Sequence, residues 1–205
     1  SGGAHHSKML EVWPAYIPGI KIIMPSCPYD AKGLLKSSIR DNSPVIFIES
    51  RTLYGKKGPV PEKEYFIEIG SANIVKEGLD VTIIAFHTMV EKAIKAAEIL
   101  LEEGINAEII DPRTLTPLDF STISASIKKT GRAIVIHNSW KRFGIGAEIA
   151  ALIQENLFNY LKSPVVRIGV KEIPIPASTS LEKLILPNEN DIIKETRKMF
   201  SFNKY

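Results

Sequence analysis

Residues 27–49 read CPYDAKGLLKSSIRDNSPVIFIE, a helix, a loop and a strand in close succession. Ser26 can cap the helix, Pro28 suits its first turn, where an N–H would have no partner, and Asp30 lies near the positive end of the dipole. Leu34, Leu35, Ser38 and Ile39 recur at helical spacing, with Lys32, Lys36 and Arg40 mainly on the other side, so one face is expected to be buried. Gly33 within such a helix costs about 1 kcal/mol relative to alanine, which points to a close neighbour at its backbone. Arg40 to Pro44 stops the helix and turns the chain into Val45-Ile46-Phe47-Ile48, an apolar run that suits a strand covered on both faces.

Upstream, Lys8–Ile17 predicts a short helix broken at Pro14, and Ile20–Met24 a strand, which completes a strand, helix, strand unit. Downstream, residues 51–61 hold Gly55, Gly58, Pro59 and Pro61 among lysines and read as an exposed connector. Short strands are expected at Tyr65–Ile69 and Ala72–Val75. Next come a strand at Val81–Phe86, a helix at Met89–Glu103 stopped by Gly104, and a strand at Ala107–Ile110. A helix through Ile123 and Ile127 ends at Gly131 and leads to the strand Ala133–Ile136. The helix Ala147–Leu161, the strand Val165–Ile168 and a last helix over Glu189–Met199 complete the pattern, leaving a polar, aromatic tail. Alternating strands and helices predict an α/β fold with a largely parallel sheet covered on both faces.

The 205 residues are 44% hydrophobic, enough for a substantial core, and the net charge is only +3. Without a long basic run or a basic, aromatic-rich patch, nucleic acid is not an expected partner. Cys27 is the single cysteine, which excludes an internal disulfide framework and a cysteine-cluster zinc site. No run approaches the roughly 18 apolar residues of a membrane span, and no membrane partner is expected. The opening SGGAHHS is like a tag remnant in composition.

Several residues are candidates for chemistry. The His6 imidazole titrates near neutral pH and can give or take a proton. Gly144-Ile145-Gly146 precedes a helix as an anion cradle would, but it lacks full dinucleotide spacing and Glu148 opposes phosphate, so packing is the alternative. Asp111 and Arg113 stand at a strand end, where mutual pairing or helix capping explains them as well as function does. His137, Asn138 and Trp140 follow the next strand similarly. The carbonyls around Ser38, Ile39, Asp41 and Ser43 converge at a helix end, either as an oxygen-lined cation site or as an ordinary terminus.

Taken together, GGAHHS, PGIKIIMPSCPYDAKGLLKSSIRDNSPVIFIE, the LYG at 53–55, EIIDPRTLTPLD and FGIGAEIAALI resemble the beta subunits of thiamine-diphosphate-dependent 2-oxo acid dehydrogenases, nearest to those acting on pyruvate. The motifs follow family order along nearly the whole chain, which argues against a tag at its start. The resemblance implies the last part of a transketolase-like pyrimidine-binding domain over residues 1–54, a connector over 55–71 and a transketolase C-terminal-like three-layer domain over 72–205. It implies an enzyme that decarboxylates a 2-oxo acid through thiamine diphosphate and magnesium and passes the acyl group to a lipoyl arm. The expected partners are an alpha subunit, a second beta subunit, and the dihydrolipoyl acyltransferase core with its lipoyl domain.

By the same resemblance, His6 matches the active-site imidazole and His5 has no counterpart. Ser38, Ile39, Asp41 and Ser43 match a structural potassium site built mainly from backbone oxygens. The glutamate that activates the cofactor lies upstream of Ser1 and the diphosphate and magnesium site lies in the alpha subunit. No cofactor ligand is therefore expected here, and this stretch alone is expected to be inactive. Many relatives carry a glutamate in the turn where this chain has His137-Asn138-Ser139-Trp140. Branched-chain 2-oxo acid and acetoin dehydrogenases are the substrate alternatives, an assembly module the functional one, and a nucleotide-binding domain the third. Bacterial cytoplasm and an organelle such as the mitochondrial matrix or a plastid both fit.

Overall fold

A computed structural model describes residues 2–201. Two short helices, α1 (Gly3–His6) and α2 (Val12–Ala15), lead into β1 (Lys21–Ile23), α3 (Pro28–Arg40) and β2 (Val45–Phe47), with β1 and β2 paired in parallel. The expected unit is present, with two local corrections. The residue capping α3 is Cys27, in extended conformation and without a side-chain cap bond, because the Ser26 hydroxyl donates instead to Asp111 in the second half of the chain. The buried face of α3 is also narrower than the apolar spacing suggests: Gly33 and Leu34 are buried, whereas Leu35 and Ile39 are exposed.

Gly33 does have its close neighbour. A Cβ there would lie 2.7 Å from Ile67 Cγ1 and 2.8 Å from Tyr65 Cε2. Residues 65–69, expected as a strand, form none; Ile67 and Tyr65 instead pack with Leu34, Ile23 and Phe47 into a small core. The expectation of full cover on β2 is corrected too, since Ile46 is exposed on this edge strand.

The larger sheet has the order β3-β5-β4-β7-β8, formed by β3 (Asn73–Lys76), β4 (Val81–Ala85), β5 (Ala107–Asp111), β7 (Ala133–Trp140) and β8 (Val166–Val170). All its pairings are parallel except that of the edge strand β3 with β5. Alternation along β4 sends Val81, Ile83 and Ala85 into one core and Ile84 into another. The helices α4 (Met89–Glu102) and α8 (Glu189–Ser201) cover the first face, and α5 (Phe120–Thr130) and α6 (Ile145–Leu157) the second.

Helix α5 starts where the Asp119 carboxylate accepts the Thr122 N–H and stops at Gly131, whose φ of 73° gives the left-handed turn a glycine permits. Helix α6 begins two residues earlier than expected and passes into a 3-10 turn at Phe158–Tyr160. A short helix α7 (Thr179–Lys183) has no counterpart in the sequence analysis. The expected tail after the last helix falls partly on 202–205, outside the described residues. Among the described residues no helix is long and apolar enough to cross a membrane.

The strand β6 (Thr114–Thr116) ties the halves together. It follows β5 of the large sheet but pairs antiparallel with β1, giving the small sheet its order β2-β1-β6. The strands β5 and β7 lie on opposite sides of β4, so the switch point of the large sheet is at the carboxyl ends of β4 and β7.

Candidate functional site

His6 stands exposed at the end of α1, its ring centroid 6.4 Å from that of His5. Its segment is held at both ends. Gly3 is buried with φ +62° against Ala177, where a Cβ would meet the alanine methyl at 3.3 Å. Glu11 is 2% exposed, while Met9, Val12 and Ala15 pack on the core beneath α5 and α6. Local bonds shape the turn between: the Ser7 N–H donates to the Gly3 carbonyl, and the Gly2 N–H donates to Ser7 Oγ at 3.0 Å.

Ser38, Ile39, Asp41 and Ser43 come together in one turn at the carboxyl end of α3. The Asp41 N–H donates to the Ser38 carbonyl, and the Ser43 N–H donates to Asp41 Oδ1 at 2.8 Å. The Asp41 carboxylate also holds Lys21 Nζ at 2.5 Å, and these two donors lower its pKa. Helix-end carbonyls beside one carboxylate make an all-oxygen donor set of the kind a hard cation takes. The carboxylate already has an ammonium partner, so the backbone oxygens are what remain for such an ion. Among the described residues, no three histidine, cysteine or acidic side chains cluster as a metal site.

Asp111 and Arg113 prove to be neither mutually paired side chains nor helix caps. The Arg113 guanidinium reaches Asp30 Oδ1 at 2.6 Å, and its backbone N–H donates to Asp111 Oδ1 at 2.9 Å. Asp111 Oδ2 accepts from Ser26 Oγ at 2.5 Å. Arg113 adopts φ 60°, an uncommon conformation for a non-glycine residue. Burial pushes the Asp111 carboxyl up to about 7, against the lowering effect of its two hydrogen bonds; the nearby Asp30 charge adds to the rise. Sequence reasoning missed this four-residue cluster because Ser26 and Asp30 are 85 and 83 residues from their partners.

Above the cluster a cavity of about 270 Å³ opens beyond the ends of β1 and β2, bordered by Ser26, Cys27, Glu49, Leu53, Tyr54 and Lys56. The ends of two parallel strands were the available signal for it. Burial, with the Asp30 charge, raises the Cys27 thiol, so this cysteine is a protonated, weak nucleophile. Tyr54 donates to Glu49 at 3.0 Å, and Lys56 pairs with Glu91 of α4 at 3.3 Å.

The Gly144-Ile145-Gly146 turn is filled by protein. A Cβ on Gly144 would lie 2.5 Å from His137 Cε1, and one on Gly146 would lie 2.8 Å from His137 Nε2. These glycines admit an imidazole under the start of α6, which supports the packing reading and leaves no phosphate cradle at that turn. Burial, reinforced by the Arg167 charge, pushes His137 down to about 4, so the ring is neutral. Its Nδ1 is 2.7 Å from Ser139 Oγ. Asn138 and Trp140 take no part in that contact; the Trp140 indole N–H donates to the Ile173 carbonyl at 3.2 Å.

Comparison with known proteins places the chain in a family. Residues 70–192 match the C-terminal domain of transketolase and residues 1–57 its pyrimidine-binding domain. The chain is 45% identical, over 98% of its length, to the pyruvate dehydrogenase E1 component subunit beta of Bacillus subtilis. It is 44% identical, also over 98%, to the beta subunit of acetoin:2,6-dichlorophenolindophenol oxidoreductase of Cupriavidus necator. It spans 63% and 60% of those two relatives' lengths. A solved split-gene transketolase, described as an inactive beta4 tetramer, superposes with a TM-score of 0.76 at 26% identity, over 91% of this chain and 59% of that one.

Proposed function

The chain belongs to the transketolase family through its C-terminal and pyrimidine-binding domains, and on that premise we propose that it is part of a pyruvate dehydrogenase E1 beta subunit. The observation that carries the proposal is 45% identity across 98% of the chain with such a subunit. In this reading residues 1–54 close a pyrimidine-binding domain, 55–71 connect, and 72–205 form the C-terminal domain. Thiamine diphosphate supplies the electron sink for decarboxylation when bound, with magnesium and the diphosphate held by an alpha subunit. These residues contribute His6 as a proton donor that stabilises negative charge developing on the substrate or the lipoyl group. The turn of Ser38, Ile39, Asp41 and Ser43 holds a structural potassium ion through backbone oxygens.

The other partners in this reading are a second beta subunit and the acyltransferase core, whose lipoyl domain receives the acetyl group. The stretch alone is inactive, a view supported by the split-gene relative described as inactive in its beta-only form. The complete beta subunit, reconstituted with its alpha subunit, thiamine diphosphate and magnesium, is expected to acetylate a lipoyl domain from pyruvate. Replacing His6 by alanine is expected to slow this by about 100-fold; unchanged turnover removes the role. The acetoin relative at 44% identity favours a second substrate reading, so the same assay is run with acetoin, and faster turnover of acetoin decides for it.

A further inference from the structure

We propose that Glu11, through the Ser139 hydroxyl and the His137 imidazole, anchors the His6 segment to the C-terminal domain, making Glu11 and Ser139 positioning residues for His6. The inference rests on the role of His6 proposed above. Three observations carry it. Gly3 and Glu11 bracket His6, and both are buried against the C-terminal half of the chain, Gly3 on Ala177 and Glu11 beside Ser139. His137 and Ser139 lie in the irregular stretch of β7 between Ile136 and Trp140, where their Nδ1 and Oγ are 2.7 Å apart. The imidazole is fixed from behind by backbone, since a Cβ on Gly144, Gly146 or Gly169 would each meet its ring at 3.0 Å or less.

The start of α6 sets the direction of the chain. A neutral imidazole has one donor and one acceptor nitrogen. Nε2 faces the first turn of α6, where the helix dipole is positive and N–H groups lack helical partners, so the lone pair belongs there and the proton on Nδ1. Nδ1 then donates to Ser139 Oγ, which leaves the hydroxyl proton to turn toward the Glu11 carboxylate, whose buried Oε2 has no hydrogen-bond partner of its own. Burial raises the Glu11 carboxyl, and the Ser139 hydroxyl draws it back. Arg167, from β8, is the charge that acts on His137 and opposes a second proton there. A glutamate buried to 2% in a segment with so little regular structure is costly unless a fixed donor meets it. The polar contact therefore sets the register of the segment, which apolar contacts from Met9 and Val12 alone do not.

The test uses the complete beta subunit in its reconstituted complex, with lipoyl-domain acetylation and amide hydrogen exchange over residues 3–11 as readouts. Ser139→Ala and Glu11→Ala are expected to speed exchange of these amides and to lower kcat about tenfold, with KM for pyruvate within about twofold. Glu11→Gln keeps an acceptor for Ser139 and is expected to retain near-normal exchange and kcat. Because the anchor acts through His6, Ser139→Ala in a His6→Ala background is expected to cost nothing further. Unchanged exchange in both alanine variants, or a further tenfold loss in the double variant, overturns the positioning role. Full activity of His6→Ala alone, with exchange still raised by Ser139→Ala, overturns the role of His6 and leaves the anchor standing.

Discussion

Replacing Asp111 by asparagine is expected to stabilise the chain at pH 8 and to leave it nearly unchanged at pH 4. The carboxyl is buried to 1% exposure, and its pKa is raised from 3.8 to about 7. Between those values the folded chain holds a proton that the unfolded chain has released, so stability falls as pH rises through this window. A rise of about three pK units at about 1.4 kcal/mol each gives an order of 4 kcal/mol lost between pH 4 and 8. Asparagine has the same shape and no such titration. Its Oδ1 can accept the Arg113 N–H, and its amide nitrogen stands where Oδ2 accepts from Ser26, so the Ser26 hydroxyl must turn to accept instead. The assay is urea unfolding of both proteins at intervals from pH 4 to 8, followed by tryptophan fluorescence, comparing differences so that other titrations cancel. A difference that stays constant with pH refutes the assignment of a proton to the buried carboxyl.

Other groups yield further expectations. His87 and His137 are both pushed down to about 4 by burial. Between 6.5 and about 4 the unfolded chain binds their protons and the folded chain does not, so stability falls as pH drops through this range; His87→Leu should flatten that slope in the same urea series. Gly78→Ala places a Cβ 2.3 Å from the backbone of Ala107 and Glu108, where nothing can give, and should cost about 3 kcal/mol, measured as a lowered urea midpoint. At Gly33 the methyl meets side-chain atoms, Ile67 Cγ1 at 2.7 Å and Tyr65 Cε2 at 2.8 Å, rather than backbone. Gly33→Ala should therefore lose only about 1 kcal/mol after the gain in helix propensity, and an increase in stability would show that the close packing there is slack. If potassium binds at the end of α3, replacing sodium by potassium should raise the melting temperature, and Asp41→Asn should keep most of that rise because the ligands are backbone oxygens.

Local chemistry made α3 legible: Pro28, Asp30 and the Asp41-Asn42-Ser43-Pro44 stop act within a few residues of their effect. The strands of the large sheet were equally visible, because runs such as Val81–Ala85 are buried on both faces. What local chemistry cannot show is a partner far along the chain. Ser26 fits a cap by position, but Asp111, 85 residues on, takes its hydroxyl. Thr114–Thr116, between two prolines, reads as loop and becomes β6 only because β1 offers an edge. Helical spacing marks Leu35 and Ile39 as apolar without saying what covers them. Of the candidate site, His6 and the turn at Ser38–Ser43 were visible as residues. The route from Glu11 through Ser139 to His137 was not, since it depends on a strand and a segment more than a hundred residues apart.

The most direct test of the proposed function is to titrate this 205-residue chain with the matching alpha subunit, thiamine diphosphate and magnesium, then assay dye-coupled decarboxylation of pyruvate. Binding to the alpha subunit without turnover is the expected result, as for a docking-competent but incomplete part of a beta subunit. Pyruvate-dependent turnover would contradict the account, because the group that activates the cofactor would then have to lie within these residues.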